Sequence, residues 1–544
     1  MAPPIDRRQF IKGGAAGLLL PPGLAESQML VVSGGHGPAP SQDAGSSDFL
    51  YPGIPQPTYT NATLEARGYV AWPYNPITLA TPTLPSPWTT NTANFFYVQA
   101  GGTNSSNGYP ANPRGTFPST GSVSAGDVIV VSDAGGNFGA MTVIYNGSTS
   151  EPVFIVAASG DSPTFTSAST VGGSHVLLDG LRFSGNGDPI WGVSGGEGGT
   201  TYIACRNCYF RDTNTTIGRC VGWASHHTLF YNCEITANEP TWPDTYEDHH
   251  GMKGVGDDQW VIDCTFHDLQ GDGIQVGDQN NQPGDINRIF IGGCTAYNCY
   301  QTGFWAKDST DCIISSCTAH DNHSSGGGST PAGIGGQYDV IHLWIINNLV
   351  YNCGGGIKIQ STSSGNGSTP YIVGNVCRDG TGAGFDPTNT HSNAGINNRM
   401  SLGGYIVLNT VHNYPGGIYV PFHNYIVGNF IDDPTNASAQ HIRSSATLDE
   451  CDYNFYRGSS AKLFGTSAGA NSITSTTPGF VNEAGDNFTP DTGSLLRNVI
   501  PSASGTVDAV FDAFESRFGF SIREDLLGSA RPQETNFSIG AIEP

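Results

Sequence analysis

The sequence predicts an all-β chain wound as a parallel solenoid, and three observations carry that prediction. Short apolar segments recur every 20 to 34 residues, most with one Cys or Asn at the same place. A second, glycine-led strand follows in most repeats, and the repeat has no helical period. The composition agrees: 74 of 544 residues are glycine and only 12% are charged, which suits many short strands joined by tight turns.

In chain order, residues 1–26 come first. Arg7-Arg8, Phe10 and Lys12 precede a short apolar run, a pattern that resembles a twin-arginine export signal. It implies a periplasmic or secreted protein. The apolar run is too short to span a bilayer, and no later run reaches eighteen apolar residues, so no membrane span is expected. Residues 27–92 are rich in Pro, Gly, Ser and Thr and read as a linker or extension. Residues 93–544 hold the repeats and read as one solenoid domain.

The repeat segments include HVLLDGLRF from His175, HTLFYNCEI from His227, RIFIGGCTA from Arg288 and NYIVGNF from Asn424. Their marked positions are Leu181, Cys208, Cys233, Cys264, Cys294, Cys317, Asn348, Asn375, Asn409 and Asn429. Such a segment cannot bury its inward face alone; stacked coils, roughly 4.8 Å apart, can. Residues in one register then form a ladder, with Cys as small apolar filler and Asn bonding from coil to coil. Packing therefore explains these cysteines better than disulfides, and no paired CxxC spacing points to zinc. The stretch from about Gln440 to Val510 reads as a break in the ladder.

The net charge of −24 leaves no basic surface to replace phosphate counterions, which argues against nucleic acid. The second strands begin at Gly251, Gly273, Gly303, Gly333, Gly356, Gly395 and Gly417. Alternation turns the residue after each glycine inward and the next outward. The outward row is then Lys253, Gln275, Trp305, Gly335, Lys358, Asn397 and Tyr419, with Lys307, Gln337, Gln360 and Arg399 two positions further on. The chain has five lysines, and three of them fall on this ribbon. Cations, amides and aromatic rings in one line form a set that grips an acidic sugar chain; Lys253 to Lys358 spans four coils, roughly 19 Å. Gln275, Trp305, Lys358, Gln360, Asn397, Arg399 and Tyr419 are the expected substrate contacts.

The entry FFYVQAGGTNSSNGYP from Phe95, the following GDVIVV and the ending DLLGSARPQETNFSIGAIEP resemble right-handed parallel β-helix proteins of the pectate-lyase-like group. The densest polar stretch, EDHHGMKG, resembles the β-helix lyases of the chondroitinase B and alginate-lyase kind. These place an acidic pair shortly before a lysine and an arginine one coil later. Lys253 stands at the lysine position and Glu247 at one acidic position; Gln275 stands where the arginine belongs, and His249 or His250 near the second acid.

The resemblance implies an exported polysaccharide lyase that cleaves a uronic-acid polymer by β-elimination. Lys253, His250 and Lys307 are the expected catalytic groups. Glu247, Asp248 and Asp272 are the expected ligands if Ca²⁺ takes part. Two other readings stand beside it. A hydrolase would pair carboxylates from Asp248, Asp272 and Asp278. A non-catalytic polysaccharide-binding or surface structural protein would show the same groove without turnover.

Overall fold

The computed structural model describes residues 95–103, 112–148, 152–158, 160–185, 190–192, 201–212, 218–223, 226–237, 249–277, 286–322, 331–360, 369–381, 393–400, 402–435, 439–502, 505–519 and 521–544. Glu247, Asp248 and Asp278 lie outside them.

The chain winds as a right-handed parallel β-helix with three faces. One coil runs His249–Gly254, Gln259–Ile262, Thr265–Leu269, and the next starts at Ile274–Val276. Each strand pairs in parallel with its counterpart one coil on: Met252 with Ile274, Trp260 with Phe290, Phe266 with Ala296. The front face carries the glycine-led strands, and the third face is a sheet of thirteen strands. Near the amino-terminal end, the long strand Ser169–Asp179 rounds a corner. Its first half pairs with Ile190–Gly192 on the front face and its second with Thr201–Arg206 on the next.

The corner before the third face repeats one device. Each ladder residue follows a residue in the left-handed region, with φ from 50° to 71°: Asn207, Asn232, Asp263, Gly293, Ser316, Asn347, Gly374 and Gly428 among them. Asn, Asp and Gly tolerate that conformation best, which is why the turns draw on those residues. The turn aims the next side chain inward. Cys208, Cys233, Cys264, Cys294 and Cys317 are buried free thiols. Burial pushes the Cys208, Cys233 and Cys294 thiols well up.

The asparagines bond as a continuous ladder. Asn375 Nδ2 donates to Asn409 Oδ1 at 2.9 Å and to the Ile345 carbonyl at 2.9 Å. Its Oδ1 accepts the Asn348 backbone N–H at 3.0 Å.

The expected break at Gln440–Val510 is not there at its start. Asn429 N–H bonds Asn454 Oδ1 at 3.0 Å, and Asn454 N–H bonds Ser472 Oγ at 3.2 Å. Strands Ile442–Ser444, Glu450–Asp452, Phe455–Arg457 and Ile473–Ser475 continue the coils. The glycine-led signature lapses there while the ladder does not. Beyond it, the helix Gly505–Phe518 lays Val507, Val510, Phe511, Phe514 and Phe518 inward. It covers the outer side of the second face, where Trp344 meets the Phe514 ring at 4.9 Å. Arg517 clamps Asp311 with bonds of 2.6 and 2.8 Å. No helix among the described residues is long and apolar enough to cross a membrane.

Candidate active site on the front face

The front-face register runs as the alternation predicts. Lys253 pairs with Gln275, Gln275 with Trp305, Trp305 with Gly335, Gly335 with Lys358, Lys358 with Asn397 and Asn397 with Tyr419. The residues just before them (Met252, Ile274, Phe304, Ile334, Ile357, Ile396 and Ile418) all lie in the core. Lys307 pairs with Gln337 and Gln337 with Gln360, so the second row forms as well.

The row differs from an open groove in one respect. Gln275 is 1% exposed, Asn397 3%, Trp305 6%, and Lys358 and Tyr419 8% each. Large side chains one coil apart shield one another. Gly335 shows how: a Cβ there would overlap both the Trp305 ring and the Lys358 carbonyl oxygen. The missing side chain lets the indole lie across the coil towards Lys358. Lys253 and Lys307 stay half-buried, and Lys307 Nζ lies 5.8 Å from the centre of the Tyr338 ring.

Lys358 is the electrostatically unusual member. Burial, aided by the Arg399 charge, lowers its pKa from 10.5 to about 8. Arg399 follows Asn397 by two residues in the next coil and is exposed. The sequence pointed to Lys253 as the base; the structure puts the perturbed lysine four coils further along the same row. Lys253 has Gly222 and Gln275 as register neighbours and no arginine in that row beside it.

The histidines and Asp272 sit otherwise than expected. His249 and Asp212 are both fully buried, with Nε2 3.0 Å from Oδ2. His250 is 2% exposed, and its Nδ1 accepts the Asp272 backbone N–H at 3.0 Å. Asp272, also 2% exposed, accepts the Thr302 N–H on Oδ1 at 2.9 Å and approaches His250 with Oδ2 at 3.4 Å. These residues tie one coil corner to the next. Nδ1 of His250 is therefore committed to the backbone, and Asp272 is buried beside it; the other two expected Ca²⁺ ligands, Glu247 and Asp248, lie outside the described residues.

Among the described residues, one trio gathers metal-type donors: His412, Asp432 and Glu483, with ligand atoms within 4.8 Å of one another. Arg457 bonds Glu483 and lies 3.5 Å from Asp432, so the protein supplies the positive charge there itself. The front-face centre, with Lys358 and Arg399, suits an anion rather than a cation.

Sequence reasoning missed the last two members of the row. Tyr419 pairs with Arg443 and Arg443 with Phe464, both in the part read as a break.

Residues 251–431 match the family model described as a right handed beta helix region. No curated protein matches the chain. Among solved structures, a pectate lyase is similar at 13% identity, over 82% of this chain and 96% of that one, with a TM-score of 0.36. The Dettilon tailspike protein is similar at 14% identity, over 65% and 63%, with a TM-score of 0.37. A PL6 family alginate lyase is similar at 12% identity, over 65% and 53%, with a TM-score of 0.40. The observed coils and the match over residues 251–431 together make this chain a right-handed parallel β-helix protein.

Proposed function

We propose that this protein is an exported lyase that cleaves a uronic-acid polysaccharide by β-elimination, with Lys358 as the base and Arg399 binding the substrate carboxylate. One observation carries the reading: a buried lysine with its pKa lowered to about 8 lies beside an exposed arginine in a line of Trp, Asn and Tyr. A base poised near neutrality removes a proton most efficiently.

In the reaction, neutral Lys358 Nζ takes the proton α to the uronate carboxylate. The electron pair passes into the enolate, whose charge Arg399 offsets. The pair then forms the C4–C5 double bond as the C4–O bond breaks. The departing oxygen takes its proton from the ammonium just formed or from water. Trp305, Tyr419, Asn397 and Gln275, at 1–8% exposure, line the same row and shape its surroundings rather than offer open faces to the polymer. No step is assigned to Ca²⁺: two of its three expected ligands, Glu247 and Asp248, lie outside the described residues. Lys253 and Lys307 serve at the other end of the row as further cations for the acidic chain.

Export rests on the Arg7-Arg8 signal. The test is the ultraviolet absorbance of the unsaturated product. Mature protein is offered a panel of uronate polymers beside Lys358→Met and Lys253→Met. The reading requires a rise with wild type that Lys358→Met abolishes. Loss only in Lys253→Met would move the base to Lys253. New reducing ends without absorbance would mean hydrolysis, and a flat trace with retained binding would mean a non-catalytic polysaccharide binder.

A further inference from the structure

We propose that the front face holds a second anion subsite, formed by Arg443 stacked on Phe464, that takes a carboxylate of the polymer about 14 Å from Lys358. The distance is three coil steps at roughly 4.8 Å each. The inference rests on the acidic-polymer reading above and extends it towards the carboxyl-terminal end of the helix.

The first ground is register. Lys358, Asn397, Tyr419, Arg443 and Phe464 are successive members of one outward row. A chain lying along the row past Tyr419 meets Arg443 next.

The second ground is charge. The protein carries 46 acidic against 22 Lys and Arg residues. Several of its arginines are claimed by carboxylates: Arg206 by Asp179, Arg288 by Asp258, Arg457 by Glu483, Arg497 by Glu534, Arg517 by Asp311 and Arg523 by Asp508. Arg443 has no ion pair among the described residues, and its Nε is buried with no hydrogen-bond partner. Its guanidinium instead lies 4.8 Å from the centre of the Phe464 ring. Keeping an arginine away from carboxylates in so acidic a molecule leaves its fork open to an external one.

The third ground is the ring itself. Phe464 is 50% exposed, one of few large apolar side chains so placed. Stacking holds the guanidinium in one plane, so less freedom is lost when a carboxylate binds. The apolar edge left over offers contact to a sugar face. Together they make a site for a uronate residue rather than for a small free anion.

The experiment measures retardation of the folded protein in native gels cast with a uronate polymer or with a neutral polysaccharide, and KM on the same uronate polymer. Variants are Arg443→Ala, Arg443→Lys, Phe464→Ala and, as a control off the row, Arg497→Ala. Thermal melts confirm that each variant is folded. The proposal expects Arg443→Ala to raise Kd and KM for the uronate polymer by roughly tenfold, the scale of one charge-assisted bond. Arg443→Lys should recover only part, because the ammonium lacks the planar fork. Phe464→Ala should weaken binding less than Arg443→Ala, and Arg497→Ala should leave it unchanged. Arg443→Ala binding the uronate polymer as wild type does would overturn the proposal. Wild type that binds no uronate polymer at all would instead overturn the reading on which it rests.

Discussion

Replacing Lys358 with methionine should make the protein more stable and less active. The lysine is 8% exposed and its pKa is lowered from 10.5 to about 8. That difference corresponds to a cost of about 3 kcal/mol for keeping the ammonium charged in the fold, at about 1.36 kcal/mol per pH unit. Methionine keeps a similar unbranched stem without the charge. The sign follows from the two states. Below pH 8 the lysine is charged both folded and unfolded, and the whole cost applies. Between pH 8 and 10.5 the folded chain releases its proton first, so stability rises with pH; above 10.5 no cost remains. Urea unfolding of wild type and Lys358→Met at pH 7 and pH 10.5 checks this. At pH 7 the variant should gain about 2–3 kcal/mol, a gap that closes at the higher pH. Activity should fall about 10²–10⁴-fold, the usual contribution of a general base. The wild-type rate should climb with pH and level off above about 8. A variant no more stable than wild type at pH 7, with its activity intact, would refute both the burial argument and the assigned role.

Asn375→Ala should cost about 3–5 kcal/mol in urea unfolding, because it strips bonds from Asn348, Asn409 and the Ile345 carbonyl in a buried ladder. Gly335→Ala should displace the Trp305 ring and weaken polymer binding; a fluorescence shift of the folded protein together with a higher KM would show it. Thiol reagents should leave the eleven buried cysteines untouched in native protein and label all twelve after denaturation, as burial hides them from the reagent.

Much of this fold could be read from the sequence because a solenoid repeats its instructions. The Cys/Asn ladder and the outward row each needed only one period and one alternation, and the pairings from Lys253 to Tyr419 follow them without a slip. What failed was whatever one coil cannot show. The low exposure of Gln275, Lys358 and Asn397 depends on neighbours stacked above and below. Our proposal of Lys358 rather than Lys253 as the base rests on burial and on Arg399, which the local motif EDHHGMKG does not show. Arg443 and Phe464 were lost because their coils lack the glycine signature, although Asn454 follows Asn429 at an ordinary interval of 25 residues. The helix Gly505–Phe518 carries an apolar stripe of Val507, Val510, Phe511, Phe514 and Phe518 at helical spacing, a period foreign to the coils before it.

In an ideal solenoid each coil touches only its neighbours, so the stack can fray from either end. The carboxyl-terminal segment changes that economy of contacts. Arg517 reaches Asp311 across 206 positions, Asn347 Nδ2 bonds the Glu524 carbonyl at 3.0 Å, and Ala541 N–H bonds Thr410 Oγ1 at 3.0 Å. This segment is thereby stitched to coils far earlier in the sequence. Unwinding from that end must first detach the whole segment, which raises the barrier to partial opening. The same stitching makes this segment a seal that ties the flank of the coil stack shut from outside.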